Sequence, residues 1–166
     1  MQLIIVTGLS GSGKSIVLKA LEDSGYYCID NLPATLLPQI SQHLGTKDSG
    51  VAHQDRVAIS IDTRSAALET LPDNIEQLKA QGIAVQVIFL ESNVETLVKR
   101  FSETRRRHPL SDEKTTLAES IQHERDLLVQ LADLGHRIDT SDLSANTLRN
   151  WVKDFIAHEK SGLTLL

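Results

Sequence analysis

The sequence predicts an α/β protein in which a central parallel sheet carries helices on both faces. Short apolar stretches alternate along the chain with longer stretches whose apolar residues recur every three or four positions. These patterns are typical of strands and of amphipathic helices, respectively. The strand-length stretches are apolar without interruption rather than at every second position, which indicates strands that are buried on both faces.

The N-terminal half of the chain contains three predicted strands, at residues 3–7, 26–29 and 57–61. A helix at residues 14–23 carries apolar residues on one face, and Gly25 follows as its C-terminal stop. A second helix near residues 36–44 is opened by Pro33 or Pro38, because proline favours the first helical turn.

The C-terminal half contains two predicted strands, at residues 84–90 and 136–139. Four helices are predicted there, one near residues 71–81 that stops at Gly82, and three capped by Asn93, by Thr116 with Glu119, and by Ser144. Thr116 and Glu119 fit a capping box for a helix that extends to about residue 134. In such a fold the strands end at one edge of the sheet, and ligands bind at that edge.

Composition and charge narrow the class of protein. The chain has 166 residues, the size of one domain, and carries a formal net charge of −5. A domain that wraps nucleic acid needs a positive excess, whereas a nucleotide site needs only a local positive pocket. The apolar stretch at residues 83–90 has the length of a strand and contains Gln86, so we expect no membrane span.

Two residues whose side chains can take part in chemistry or base stacking are interpreted as packing residues. Cys28 is the single cysteine, so it forms no internal disulfide, and its neighbours are apolar. This suits a reducing compartment, and we expect a cytoplasmic protein. Trp151 lies in the last predicted helix, where we expect it to pack rather than to stack on a base.

The segment after the first strand matches the phosphate-binding pattern G-x-x-x-x-G-K-[ST] without deviation. Its members are Gly8, Leu9, Ser10, Gly11, Ser12, Gly13, Lys14 and Ser15. The glycines let the backbone curl so that its N–H groups converge on the phosphates of ATP or GTP. Lys14 would reach the β- and γ-phosphates, and the Ser15 hydroxyl would bind Mg²⁺. The predicted fold is therefore a three-layer P-loop NTPase-like domain, with a layout like that of nucleotide and metabolite kinases.

Two aspartates at strand ends compete for a role beside the metal. Asp62 closes the strand at residues 57–61, and Asp30 ends the second predicted strand in a similar way. In P-loop proteins an aspartate in such a position holds the outer ligands of Mg²⁺. The spacing does not rank them, so Ser15, Asp62 and Asp30 all remain candidate metal-side residues.

Three consecutive arginines, Arg105, Arg106 and Arg107, precede His108 and Pro109. Arginines at this point predict a lid that closes over bound phosphates and stabilises their charge. The alternative is that basic residues favour a helix C-terminus in any protein. We expect Lys14 and Arg106 to be the catalytic cations, with a water molecule attacking the γ-phosphate.

Four further sequence strings outside the glycine-rich loop point to a more specific class than the P-loop alone. Ala-Leu-Glu-Asp lies at 20–23, Tyr-Cys-Ile-Asp-Asn-Leu-Pro at 27–33, Ser-Ile-Asp-Thr-Arg at 60–64, and Thr-Arg-Arg-Arg-His-Pro-Leu at 104–110. In this order they resemble the N-terminal domain of the RapZ family of nucleotide-binding proteins, which includes an RNase adapter. The resemblance covers about residues 1–156.

The resemblance implies slow hydrolysis of ATP and GTP. It places the ATP phosphates on the loop at residues 8–15, and it assigns a second contact, to GTP, to Asp62, Thr63, Arg64 and Ser65. The family often has asparagine where this chain has Ser65. In the family, RNA and partner binding lies largely in a C-terminal domain. We therefore expect residues 1–158 to form the nucleotide-binding domain, and residues 159–166 to be a linker and the start of a C-terminal domain absent from this chain.

Two functions follow from these observations. The leading one is an RNase-adapter-like regulatory module with weak ATPase and GTPase activity, which contacts a protein or RNA through the absent domain and takes no phosphoacceptor. The alternative is a small-metabolite kinase of the gluconate or shikimate kinase type, in which Asp30 would hold the acceptor hydroxyl. The sequence leaves the oligomeric state open, with a homo-oligomer among the alternatives.

Overall fold

The computed structural model describes residues 2–9, 12–44, 56–61, 70–104, 116–128 and 135–160. Within these residues, five strands form one parallel sheet, as predicted. The strands are β1 (Gln2–Gly8), β2 (Tyr27–Leu32), β3 (Arg56–Ile61), β4 (Ala84–Glu91) and β5 (His136–Asp139). Their order in the sheet is β2-β3-β1-β4-β5. The order reverses at β1, and the crevice at such a reversal is where parallel sheets bind ligands.

Six α-helices lie in the described part of the chain. They are α1 (Lys14–Asp23), α2 (Leu37–Leu44), α3 (Leu71–Ala80), α4 (Val94–Thr104), α5 (Leu117–Leu128) and α6 (Ala145–Lys160), and a short 3-10 helix (Ala34–Leu36) precedes α2. None of these helices is long and apolar enough to cross a bilayer.

The helices cover the two faces of the sheet as separate apolar layers. On one face, α1 and α6 pack against the β1 side chains of Ile4 and Val6. On the other face, side chains of α2, α3, α4 and α5 pack against Leu3 and Ile5 of the same strand. Because successive residues of a strand point to opposite faces, the uninterrupted apolar pattern of β1 fills both layers.

The residues predicted to cap or end helices have the expected hydrogen bonds and backbone angles. The Asn93 side chain accepts a hydrogen bond from the Thr96 N–H at 2.8 Å, and Ser144 Oγ accepts one from the Thr147 N–H at 3.1 Å. The capping box is also formed, since the Glu119 N–H donates to Thr116 Oγ1 at 3.1 Å and the Thr116 N–H donates to Glu119 Oε2 at 3.3 Å. Gly25 and Gly82, which follow α1 and α3, have positive φ angles of 97° and 87°.

The second strand differs from its prediction. It continues to Leu32 rather than ending at residue 29, with a shift of register against β3 between Ile29 and Leu32. Asn31 occupies the irregular stretch with a φ of 54°, in the left-handed region that asparagine tolerates. Asp30 therefore lies within an irregular strand end rather than after a regular strand, and its position depends on the bulge.

Candidate functional site

The glycine-rich loop leaves β1 in close contact with β4. The Leu9 N–H donates to the Leu90 carbonyl at 3.1 Å. A Cβ atom at Gly8 would lie 2.1 Å from that carbonyl oxygen, and the φ of Gly8 is 137°. Both the space and the backbone angle therefore require glycine at the first position of the motif.

The described part of the loop is tied together by its own side chains. Lys14 Nζ donates to the Gly8 carbonyl oxygen at 2.9 Å, which brings the lysine ammonium back over the start of the loop. Ser12 Oγ donates to the Leu9 carbonyl, and the Ser12 N–H donates to the same oxygen at 3.1 Å. The ammonium and the turn thus lie together at the carboxyl end of β1, where the strand order reverses.

The N-terminus of α1 has the features of an anion site. Gly13 occupies the N-cap position with a φ of 109°, and its lack of a side chain leaves the first N–H groups of the helix without a side-chain cap. The first turn of α1 contains no acidic residue. Uncapped N–H groups and the positive end of the helix dipole favour a bound anion, and Lys14 adds a full positive charge.

A second polar group lies at the same edge of the sheet, on β2 and β3. Ser60 Oγ donates to Asp30 Oδ1 at 2.5 Å and accepts the Asn31 N–H at 2.8 Å. Ser60 is buried, whereas Asp30 and Asn31 are exposed. The buried hydroxyl therefore fixes an exposed carboxylate at the edge where β1 delivers the loop. The sequence singled out Asp30 but not Ser60, which stands two positions before Asp62 in the string at 60–64.

A cavity of about 180 Å³ opens beside the end of the loop. Its walls come from Ser12 and Gly13 of the loop, Ile16 of α1, Arg100 of α4, Thr140 after β5, and Leu143, Ser144, Ala145 and Leu148 at the start of α6. At Gly13 the start of α1 comes so close to α6 that an added Cβ would lie 2.9 Å from Leu148 Cδ2. The cavity thus extends the crevice from the loop toward β5.

Thr140 connects the loop to the walls of this cavity. Its hydroxyl donates to the Ser12 carbonyl oxygen at 2.6 Å, and both groups are buried. Arg100 holds Thr140 at two points, because Nη1 donates to Oγ1 at 3.2 Å and Nη2 donates to the backbone carbonyl at 2.5 Å. The backbone N–H of Thr140 donates to the Glu91 carbonyl at 2.8 Å. One threonine thereby joins the loop, β4 and α4.

The turn after β5 is fixed by a further set of hydrogen bonds. Ser141 donates to Asp139 Oδ1 through its hydroxyl at 2.5 Å and through its backbone N–H at 2.9 Å. These bonds, side chain first, lower the pKa of Asp139, and the charges of Arg125 and Arg100 lower it further. Asp139 stays ionised at neutral pH and anchors the turn next to Thr140.

Sequence reasoning missed Arg100 and Thr140, although a usable signal existed. The rule that ligands bind beyond the carboxyl ends of parallel strands points to the residues that follow β5 as well as those that follow β1. Arg100 lies on α4, five positions before Arg105 in the sequence, and is not part of the arginine triplet at 105–107.

Several predicted site residues fall outside the described residues. They are Ser10 and Gly11 of the loop, Asp62, Thr63, Arg64 and Ser65 of the assigned GTP contact, and Arg105, Arg106 and Arg107 of the arginine segment. Their roles stay predictions. The described residues stop at Ile61 of β3, directly before residues 62–65, and at Thr104 of α4, directly before residues 105–107.

The two packing interpretations agree with the structure. Trp151 stacks on Phe155 with ring centroids 5.4 Å apart and an angle of 16° between the planes. Cys28 is half-buried, and its thiol donates to the Leu18 carbonyl at 3.3 Å. Burial, and then the charge of Glu22, raise the pKa of Cys28 to about 11. The thiol is therefore protonated at neutral pH and is a poor nucleophile.

The donor atoms at the sheet edge fit Mg²⁺ bound together with phosphates. Among the described residues, no group of three or more histidine, cysteine, aspartate or glutamate side chains could hold a metal alone. Magnesium commonly takes one or two protein oxygens and completes its shell with phosphates and water. The exposed Ser15 hydroxyl and the exposed Asp30 carboxylate supply oxygens of that kind.

Comparison with known proteins decides the family. The model of the RapZ-like N-terminal domain matches residues 1–160 of this chain. The chain belongs to the RapZ-like N-terminal domain family. Among curated relatives, a "Nucleotide-binding protein" of Methylobacillus flagellatus is 72% identical over 166 residues, and one of Chromobacterium violaceum is 56% identical over 167 residues. Each match covers 100% of this chain and 58% of the relative, so this RapZ-like chain spans little more than half of their length.

Solved structures confirm the fold of this RapZ-like domain. YorR from Bacillus subtilis, in complex with phosphorylated GDP, matches with a TM-score of 0.63 and 17% identity over 96% of this chain and 98% of that one. Shikimate kinase from Bacteroides thetaiotaomicron matches with a TM-score of 0.60 and 16% identity over 95% of this chain and 98% of that one. At such identities the likeness concerns the fold alone, and it agrees with the predicted three-layer P-loop architecture.

Proposed function

We propose that this chain binds the triphosphate of ATP or GTP on the loop at residues 8–15 and hydrolyses it slowly, as the nucleotide-controlled part of a longer adapter protein. The observation that carries the proposal is the bond from Lys14 Nζ to the Gly8 carbonyl at the carboxyl end of β1. It holds the Lys14 ammonium over the start of the loop, and the uncapped N-terminus of α1 lies at the end of the same loop, so both favour an anion there. The curated relatives are named nucleotide-binding proteins, which agrees with this.

The proposed chemistry needs little beyond positioning and charge. A water molecule attacks the γ-phosphorus, and one of its protons passes to a phosphate oxygen of the product. The bond from that phosphorus to the β–γ bridging oxygen breaks, and the nucleoside diphosphate leaves with the electron pair. Lys14 would stabilise the negative charge on the phosphate oxygens, and Arg106 would add a second cation from the arginine segment. When bound, Mg²⁺ would neutralise phosphate charge further, held through Ser15 and through Asp30 or Asp62.

We expect the hydrolysis to be slow, because the proposal assigns no general base to it. Asp30 Oδ1 accepts a hydrogen bond from the Ser60 hydroxyl, so part of the acceptor capacity of this carboxylate is used within the protein. A base that activates water needs access to that water's proton. In this proposal hydrolysis relies on charge alone, and a slow nucleotide cycle suits a regulatory module.

The adapter role is the part of the proposal that lies beyond this chain. The chain spans 58% of its relatives, so the remainder of such a protein would contact RNA or a protein partner. The net charge of −5 agrees with this division, because a surface for RNA would need basic residues that this part does not have in excess. Nucleotide occupancy would act on the partner by changing the segments at residues 62–65 and 105–107.

A metabolite kinase is the second candidate, favoured by one observation. The buried Ser60 fixes the exposed Asp30 at the sheet edge, as is needed for a carboxylate that orients an acceptor hydroxyl toward a phosphate. Phosphate release and acceptor phosphorylation distinguish the two functions. We expect slow release from ATP and GTP that shikimate and gluconate do not change. Fast turnover that produces a phosphorylated acceptor would replace the adapter proposal with the kinase.

A further inference from the structure

The cavity beside the loop is the strongest unassigned feature of the described structure. It begins at Ser12 and Gly13, where the phosphate loop ends, and extends between α1 and the start of α6. Its volume of about 180 Å³ is below that of cavities which enclose a whole drug-sized ligand, and it suits one planar ring system. A nucleotide whose phosphates lie on the loop has such a ring at its other end.

The described cavity walls combine aliphatic side chains with polar groups that already have protein partners. Ile16, Leu143 and Leu148 supply the apolar surface. Of the polar groups, the Thr140 hydroxyl donates its proton to the Ser12 carbonyl, Arg100 donates twice to Thr140, and Ser144 Oγ accepts the Thr147 N–H. The Thr140 hydroxyl proton and two of the five Arg100 donors are thus directed at the protein itself.

We infer that this cavity is a purine slot that holds adenine and guanine alike, so that ATP and GTP compete for one site. The two bases differ at position 6, where adenine carries an amino donor and guanine a carbonyl acceptor. A site that reads such a group with a dedicated polar partner discriminates by orders of magnitude, whereas an apolar slot discriminates weakly. The described walls present more apolar than polar surface, and they are closer to the second kind. The inference rests on the proposed function, because the same nucleotide places its phosphates on the loop.

A single purine slot differs from an arrangement with separate contacts for ATP and GTP. With one slot, occupancy by ATP excludes GTP, and the state of the module follows the summed purine triphosphate concentration. With a separate GTP contact at residues 62–65, both would bind at once. Stoichiometry and competition therefore separate the two arrangements.

The test is calorimetric titration of the chain with ATP, GTP and inorganic tripolyphosphate, each with Mg²⁺, followed by titration of GTP into ATP-saturated protein. We expect one site for each nucleotide, dissociation constants of ATP and GTP within about tenfold of each other, and loss of the GTP signal in the presence of ATP. Binding of both nucleotides at once, or a preference above about hundredfold, would overturn the inference.

A cavity-filling variant tests the location of the slot. Leu143→Trp, at a half-buried wall residue, should weaken ATP and GTP by about tenfold or more and leave tripolyphosphate unchanged. The matched control is Leu36→Trp, since Leu36 is an apolar residue exposed to 41% and lies outside the cavity walls. If Leu143→Trp binds both nucleotides like the parent, the inferred purine slot is wrong, but phosphate binding on the loop is not contradicted. If the parent binds neither nucleotides nor tripolyphosphate, the phosphate loop fails and the slot fails with it. Should Leu143→Trp not fold, the competition titration on the parent still decides.

Discussion

Thr140 offers a sharp test of how the phosphate loop is held in place, through the substitution Thr140→Val. Valine keeps the shape of the side chain and removes the hydroxyl. The Ser12 carbonyl then loses its donor at 2.6 Å, and Arg100 Nη1 loses an acceptor at 3.2 Å. The backbone bonds of Thr140 to Glu91 and to Arg100 remain, so the turn after β5 keeps its anchor.

The size of the effect follows from burial. Thr140 is 1% exposed and Ser12 is 0% exposed, so water cannot replace the lost partner of the carbonyl without rearrangement. An unsatisfied buried acceptor costs about 1–3 kcal/mol. For a domain of this size, each kcal/mol lowers Tm by roughly 2–4 °C. Because the loop loses a tether next to Gly13, we also expect the dissociation constant of ATP to rise about tenfold, which corresponds to about 1.4 kcal/mol.

Two assays check this prediction, namely urea unfolding followed by the fluorescence of Trp151, and calorimetric titration with ATP. Thr140→Ser is the matched control, because it retains the hydroxyl and should recover most of the affinity. Wild-type affinity in the valine variant would refute the reasoning that Thr140 positions the loop. Equal losses in the valine and serine variants would also refute it, because serine retains the hydroxyl to which the reasoning assigns the effect.

Three further predictions follow from single residues. Gly8→Ala should destabilise the fold by about 2–6 kcal/mol in urea unfolding, because the new Cβ clashes with Leu90 and the backbone angle is strained. Gly82→Ala is the control, because its Cβ would have no atom within 4 Å and only the backbone strain remains. Equal losses of stability in the two variants would contradict this prediction. Arg106→Ala should slow phosphate release more than it weakens ATP binding, and an unchanged rate would return the arginine segment to a helix-end role, with the exposed Arg149→Ala as the control. At pH 8, Cys28 should react with iodoacetamide about a hundredfold more slowly in native than in urea-unfolded protein, measured by mass spectrometry, because its pKa is raised to about 11; equal rates would show an accessible thiolate.

Much of the fold was predictable because local signals and burial agree. Strands buried on both faces leave an uninterrupted apolar pattern, and β1, β4 and β5 begin or end within a residue of their predicted bounds. Asn93, Thr116 and Ser144 are hydrogen-bonded as caps, because the free N–H groups of a helix end need an acceptor wherever the helix packs.

The irregular end of β2 could not be predicted in the same way. The register shift depends on Ser60 of a different strand, which accepts the Asn31 N–H, and no local pattern in residues 27–32 encodes that partner. The cavity was missed for a related reason. Arg100 and Thr140 are 40 positions apart in sequence and meet only when β5 joins the sheet beside β4. Residues that meet through tertiary pairing leave no spacing signal.

Binding of ATP with Mg²⁺ to the parent chain and to Lys14→Ala, measured by calorimetry, tests the central claim most directly. The exposed Lys19→Ala, on the same helix, is the matched control for loss of one positive charge. The account predicts binding by the parent and the control, and loss of binding in Lys14→Ala with an unchanged circular dichroism spectrum. Equal affinity in all three proteins, or no binding by the parent, would contradict the claim that the loop at residues 8–15 holds the nucleotide.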